Sequence, residues 1–282
     1  MTSAFDNRLV KVGLQIGNDF LVFEDLDIRI HGQKFASEIM NQCTVKISNL
    51  TRDHRNFILT TATPMKVEKT PIAMTVDVGR ESYGTFRLFE GVAFVSSVTP
   101  PPDIGIILTG LTNCFQIGLV VANSQNPQAP LSVIAKSIAD ANGLVLKFKA
   151  KERNIANFQH TGGAARQIDN LAMIGDVRVS IDNNTMTVFD KDAYADDEVF
   201  DLNINTGMIG IPQATQTGAM AQMLVSPAIK LGGKLNLKSQ INPAVNNDGY
   251  RIDAIDFDIC NRDNPFLYTL TLTNPAYRCG VT

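Results

Sequence analysis

The sequence contains no tryptophan, only three histidines and only four cysteines among its 282 residues. Each scarcity removes a class of chemistry. Cys43, Cys114, Cys260 and Cys279 lie far apart, with no CxxC or Cys/His pair at metal-ligand spacing, so no zinc site is expected. No G-x-S-x-G elbow accompanies the histidines. Charged residues make up only 19%, against roughly 25% in an average soluble domain, which points to surface covered by partners. Net charge is -3 and no Lys/Arg cluster stands out, so the counterion release that drives duplex binding has no obvious source. The densest basic stretch, Lys147, Lys149, Lys151 and Arg153, alternates over 147–151 as one solvated strand face would. The apolar runs are too short to span a membrane. The N-terminus MTSAFDNRLVK lacks the apolar stretch of a secretion signal. The expectation is a protein made in a reducing cytoplasm with free thiols.

What is present is alternation. Leu26, Ile28 and Ile30 interleave with Asp27, Arg29 and His31, and Cys43, Val45 and Ile47 with Thr44, Lys46 and Ser48. Ile72, Met74, Val76 and Val78 repeat the pattern, as do Ile104, Ile106 and Leu108. Strand side chains point alternately to opposite faces, so each run is a strand with one buried face. Gly79, Gly84 and Pro100-Pro101-Pro102 punctuate them. Between strands, 51–60 reads as a short helix opening at Thr51 with Asp53 in its first turn. From about residue 114 the pattern changes. A polar, proline-punctuated link at 123–130 leads to Leu131, Ile134, Ala135 and Ile138 at helical spacing, between Pro130 and Gly143. A strand at 144–148, a second helix over 163–174 and a hairpin turning at Asp182-Asn183-Asn184 complete a small α/β unit. From about 200, strands return. In 250–259 the apolar phase slips from Tyr250, Ile252 and Ala254 to Ile255, Phe257 and Ile259, which predicts a β-bulge at Ala254–Ile255.

Candidate chemistry is thin. His31 falls on the polar phase of its strand and His54 in a charged turn, while His160 precedes Thr161-Gly162-Gly163 at a helix start. His160 is the most site-like, yet capping or a solvated loop explains it better. Gly162-Gly163 lacks the dinucleotide and phosphate-loop patterns. Asp190, Asp192, Asp196, Asp197 and Glu198 offer oxygens at short spacing, but not in a calcium-loop pattern. A solvated turn is the favoured reading. No catalytic, cofactor-binding or metal-binding residue is assigned, and no cofactor is expected.

Three stretches, in order, resemble the baseplate hub proteins of contractile phage tails and, more distantly, the hub part of type VI secretion spikes. The first is Cys43 to Asp53, a strand ending in Asn49-Leu50. The second is Val76-Asp77-Val78-Gly79, then Leu88-Phe89-Glu90-Gly91-Val92, then Pro102 to Ile106. The third is Thr206-Gly207-Met208-Ile209-Gly210-Ile211-Pro212, followed by Leu224 to Pro227 and Leu231 to Leu235. Asn49, Leu50, Phe89, Gly91, Gly207, Gly210 and Pro212 are the family-matching structural positions. The resemblance implies a β-rich α+β chain with a tail-tube-like β-barrel at 1–113 and a small α/β domain at 114–200. A second such barrel follows at 201–282, with strands near 104–122 available to it. It implies a homotrimer whose six barrels adapt the six-fold tail tube to the three-fold spike. The partners are then the tail tube protein, the central spike protein and other baseplate proteins, with DNA as passing cargo. The location is the virion baseplate, assembled in the host cytoplasm. Some such hubs carry a peptidoglycan-cleaving domain, and no residues here are left over for one. The chain is therefore expected to be structural and not an enzyme. The alternatives are a tail-associated peptidoglycan hydrolase using scattered carboxylates or His160, and a monomeric ligand-binding β-protein with one deep pocket.

Overall fold

The computed structural model describes residues 6–275 apart from 17, 38–39, 63–71, 113–120, 125–127 and 157. Cys114 and Cys279 lie outside the described residues. The first strands are β1 (Arg8–Ile16), β2 (Asp19–Phe23), β3 (Ile28–Phe35) and β4 (Gln42–Ser48), then helix α1 (Arg52–Ala62), then β5 (Ile72–Arg80), β6 (Gly84–Val98) and β7 (Gly105–Leu111). The middle contains β8 (Val121–Ser124), β9 (Gln128–Pro130), α2 (Leu131–Ala141), β10 (Val145–Phe148), β11 (Asn154–Ala156), β12 (Gln159–Gly162), α3 (Ala164–Gly175), β13 (Val177–Asp182) and β14 (Thr185–Asp190). The last strands are β15 (Asp196–Leu202), β16 (Met208–Ala214), β17 (Gly218–Leu224), β18 (Gly233–Leu237), β19 (Asn247–Cys260) and β20 (Phe266–Thr273).

The alternation predicted from sequence sets the registers. Val10, Val12, Leu14 and Ile16 of β1 stand opposite Val78, Val76, Met74 and Ile72 of β5, and all are buried. Each such side chain contributes about 1.5–3 kcal/mol by leaving water. Thr51 caps α1, its hydroxyl accepting from the His54 N–H at 3.3 Å, and Ile58 anchors the helix in the core.

The described strands do not close into two barrels. They form one open thirteen-stranded sheet in the order β16-β17-β20-β19-β3-β4-β7-β6-β5-β1-β2, with β18 on β19 and β15 on β18. The reason is the length of β19. Its first residues pair with β18 and its second half, Ala254 to Cys260, pairs with β3. One strand thus hydrogen-bonds the C-terminal strand set to the N-terminal set, and a single hydrophobic core runs from Val10 to Leu272. The predicted bulge is present one residue earlier than expected. Ile252 faces Leu272 and Ala254 faces Thr271 on β20, leaving Asp253 as the extra residue. The insertion keeps Tyr250 and Ile252 before it, and Ile255, Phe257 and Ile259 after it, all buried.

A second core belongs to the α/β unit, where Leu131, Ile134, Ala135 and Ile138 of α2 pack with Ile168 and Leu171 of α3 over Val179, Met186 and Val188. β10 runs parallel to β14, and β13 pairs antiparallel with β14. Gly143, with φ 65°, follows α2 as the sequence predicted.

Candidate functional site

Half of each central strand faces away from the core, and those side chains form the site. Two rows can be followed from strand to strand. Gln222 of β17, Thr269 of β20, Asp256 of β19, Gln33 of β3 and Gln42 of β4 stand side by side. In the next row Leu224, Leu267, Asp258, His31, Thr44 and Thr109 do the same. Arg29 and Lys46 face each other beyond them. The Thr44 and Thr109 hydroxyls lie 3.3 Å apart, and the Gln222 amide donates to the Thr269 hydroxyl at 3.4 Å. Amides and hydroxyls dominate this face, and its two carboxylates are balanced by its two basic side chains. Such a face offers a polyanion no net counterion release.

The edges of the sheet differ from that face. Among the described residues, β2, β16 and β15 each pair with one strand only, and β2 and β16 are the apolar ones. Phe20 on β2 is 61% exposed and Val22 50%. Beside β16 opens a groove of about 910 Å³ whose lining includes Ile204, Ile211, Ile241, Asn205 and Lys238. Ile204 is 65% exposed and Ile241 70%. Long apolar strand edges left unpaired are pairing sites for another chain.

The family-matching positions are spread over the frame. Asn49 adopts φ 62° after β4, its N–H donating to the Ile104 carbonyl at 3.1 Å, and Leu50 drops into the core. Phe89 is fully buried. Gly91 passes so close to β7 that a Cβ there would lie 2.4 Å from the Leu111 carbonyl oxygen. Gly207 (φ 103°) and Gly210 (φ 67°) take left-handed conformations around the start of β16. Gly210, Ile211 and Pro212 form an irregularity between the Ile209–Gln222 and Gln213–Met220 pairs, and the Pro212 carbonyl accepts from Asn242 at 3.0 Å. These residues shape turns and edges, and they do not converge on one point.

The titratable candidates do not converge either. His31 stands opposite Asp258 on the polar face, and His54 lies edge-on to Phe23 with ring centroids 5.9 Å apart. The backbone of His160 pairs with Asn123 in β12. Among the described residues no three His, Cys, Asp or Glu side chains gather as a metal would need. The acidic segment is laced to basic side chains. Asp196 meets Lys147 and Lys230, each at 3.4 Å, Glu198 meets Lys230 at 2.7 Å, and Asp197 meets Lys149 at 2.9 Å. Burial works against ionisation of Asp196, but the Glu198 N–H and the two ammonium groups outweigh it and hold the carboxyl below its ordinary value. A glycosidase acid needs the opposite shift. The Cys43 thiol is pushed far up by complete burial, so it stays protonated and unreactive.

Sequence reasoning missed the polar junction between the α/β unit and the sheet. Lys34, only 5% exposed, ion-pairs with Asp182 at 2.6 Å. The buried Asn41 amide donates to the Ile181 carbonyl at 2.8 Å. Arg178 of β13 reaches Asp253 at 3.1 Å, and Tyr194 donates to the Gly249 carbonyl at 2.7 Å. Lys34 carries a signal in the sequence, since it is a cation on the apolar phase of Ile28 and Ile30; Arg251, on the opposite phase from Tyr250 and Ile252, carries none.

No curated protein matches the sequence. Solved structures match in fold. A 43 kDa tail protein of prophage MuSo2 from Shewanella oneidensis aligns with a TM-score of 0.63 at 11% identity, covering 94% of this chain and 98% of that one. The E. coli c3393 protein is described as a type VI secretion component with structural similarity to the T4 tail proteins gp27 and gp5. It aligns at 0.57 with 11% identity, over 92% of this chain and 76% of that one. A chain of a Francisella PdpA–VgrG complex aligns at 0.58 with 10% identity, over 96% of this chain and 59% of that one. At these identities the likeness is one of fold. The sequence itself matches the family model described as baseplate hub gp41 over residues 9–272, nearly end to end, and the chain belongs to that family.

Proposed function

We propose that this baseplate hub forms a closed homotrimer on the tail axis. In it, the strand sets within 1–113 and 201–282 serve as two tail-tube-like units per chain, and the α/β unit at 114–200 decorates them. Three chains then present six such units, matching a six-fold tail tube on one side and a three-fold spike on the other. The observation that carries this reading is the contrast across one sheet: a charge-balanced polar face lies between two unlike, apolar edges at β2 and β16, while the third edge, β15, is acidic. Unlike edges at opposite ends suit head-to-tail contacts, which close into a ring when the rotation allows. A permanent interface of this kind should bury more than about 2,000 Å². The polar face then lines the conduit through which DNA passes as cargo without adhering. The tail tube protein, the spike protein and other baseplate proteins are the partners, with assembly in the host cytoplasm and a structural, non-enzymatic role. Cryo-electron microscopy of the particle tests it. Three copies around the axis, with the Gln33–Gln42 face inward, is the expected result. Six copies per ring, or absence from the axis, would overturn it.

A further inference from the structure

Asp253 occupies a singular place. It is the inserted residue of the β19 bulge, at the point where β19 exchanges β18 for β3 as its neighbour. Its backbone carbonyl accepts from the Ala36 N–H at 2.8 Å, at the end of β3. Its carboxylate accepts from Arg251 at 2.6 Å and from Arg178 at 3.1 Å, both through Oδ1. Arg251 is 2% exposed and also donates to the Lys191 carbonyl at 2.6 Å and the Ala193 carbonyl at 3.3 Å, on the segment leaving the α/β unit. Arg178 also donates to the Ala36 carbonyl at 3.4 Å. One carboxylate thus holds a guanidinium from its own strand in the large sheet and a guanidinium from β13 in the α/β unit. An ion held this deeply is costly to leave uncompensated, and because the extra residue of a bulge is left out of the ladder, the Asp253 side chain is free to make these contacts.

The geometry points to Asp253 as a positioning residue that couples the bend of β19 to the seating of the α/β unit. Neither can relax alone. Unseating the unit withdraws Arg178 and loosens the carboxylate that pins the bulge, and straightening β19 moves the carboxylate away from Arg178. The coupling is a property of the single chain and does not depend on the ring. It gives the α/β unit a means of setting the curvature of the sheet at the junction of its two strand sets.

Hydrogen exchange of the full-length protein tests this through Arg178→Gln, which leaves Asp253 and its pairing with Arg251 in place. The expected result is exchange at least tenfold faster in two separate segments, 177–182 and 251–255, with Arg178→Lys restoring most of the protection at 251–255. Asp253→Asn should accelerate both segments in parallel. If Asp253→Asn does not fold, the Arg178 pair still decides. Faster exchange confined to 177–182, with 251–255 unchanged, would overturn the coupling, as would failure of Arg178→Lys to restore 251–255 when Arg178→Gln exposes it.

Discussion

The ion pair between Lys34 and Asp182 predicts an asymmetry between two substitutions. Lys34 lies on β3 in the frame and Asp182 at the end of β13 in the α/β unit. The lysine side chain is 6% exposed and the aspartate 37%. Asp182→Asn keeps the shape of the site but leaves a buried ammonium without its carboxylate. Orphaning one partner of a buried pair costs about 3–5 kcal/mol, and the half-open aspartate side of this pair argues for about 3 kcal/mol. Lys34→Met removes the buried charge, retains the aliphatic stem, and leaves an aspartate that water can reach. Its cost should stay within about 1 kcal/mol, because replacing a buried charge by an apolar side chain of similar volume is often close to neutral. Urea unfolding followed by circular dichroism measures both. With a slope of about 3 kcal/mol/M, Asp182→Asn should move the midpoint down by about 1 M and Lys34→Met by less than a third of that. Equal losses for the two variants would refute the reasoning, and so would a neutral Asp182→Asn.

The polar face gives a second test: the native protein should show no duplex binding at moderate salt, whereas Gln33→Lys/Gln42→Lys/Gln222→Lys should create salt-sensitive binding, with a slope growing by about 0.9 per phosphate engaged. Fluorescence anisotropy reads it, and micromolar binding by the native protein would count against a passive conduit. Two glycines should differ in kind. Gly91→Ala forces a Cβ to 2.4 Å from a backbone oxygen and should cost about 1–3 kcal/mol. Gly210→Ala meets open space and bears only its φ of 67°, about 1–2 kcal/mol; thermal melts that reverse this origin, with a Gly91→Ala protein unchanged, would contradict the close packing of β6 on β7. The Asp196 clamp predicts an acid limb. Its folded carboxyl is depressed, so the stabilisation is fully present above the ordinary carboxylate value of about 3.9 and drains as pH falls from there toward the depressed value. Lys230→Met should flatten that limb in acid unfolding curves, and an unchanged limb would argue that other groups carry it.

The legible parts of the fold were those governed by local periodicity. In the α/β unit the two helices, β10 and the β13–β14 hairpin appeared, because helical spacing at Leu131 to Ile138 and alternation at Val177 to Ile181 are written over short distances; the short strands β8, β9, β11 and β12 did not, and two of them fall in or beside what reads as a polar link. The β19 bulge was legible for the same reason, since a phase slip between Ile252 and Ile255 has one cheap solution. Its position missed by one residue because the pattern fixes only where the slip must fall between apolar anchors. The residue inserted, Asp253, is the one that Arg178 on β13 reaches from 75 residues away in sequence, a contact that local periodicity does not encode. Beyond the β13–β14 hairpin, strand partnership was not legible. Separate barrels at the two ends assumed that each strand set pairs with itself, whereas β19 bridges them, and nothing in the alternation of a strand names its neighbour. The family-matching positions were found by their order along the chain, and the structure gives each a local reason without gathering them into a site.

The scarcity of charge now has a location. Outward-facing positions on a sheet exposed to water commonly carry Lys, Glu or Arg, which solvate the strand and guard it against pairing. Here those positions on β4, β17 and β20 hold Gln42, Thr44, Met220, Gln222, Leu224, Leu267, Thr269 and Thr271, with Lys46 the one charge among them. Ion pairs gather around the α/β unit, where Lys147, Lys149, Arg153, Lys191 and Lys230 meet Asp196, Asp197, Asp190, Asp176 and Glu198, and on the β1, β5 and β6 side of the sheet, where Lys11 meets Glu24 and Arg87 meets Asp77 and Glu90. The sparse charge on β4, β17 and β20 is what the conduit-lining role proposed above would need, because a face with few cations gives passing DNA little counterion release.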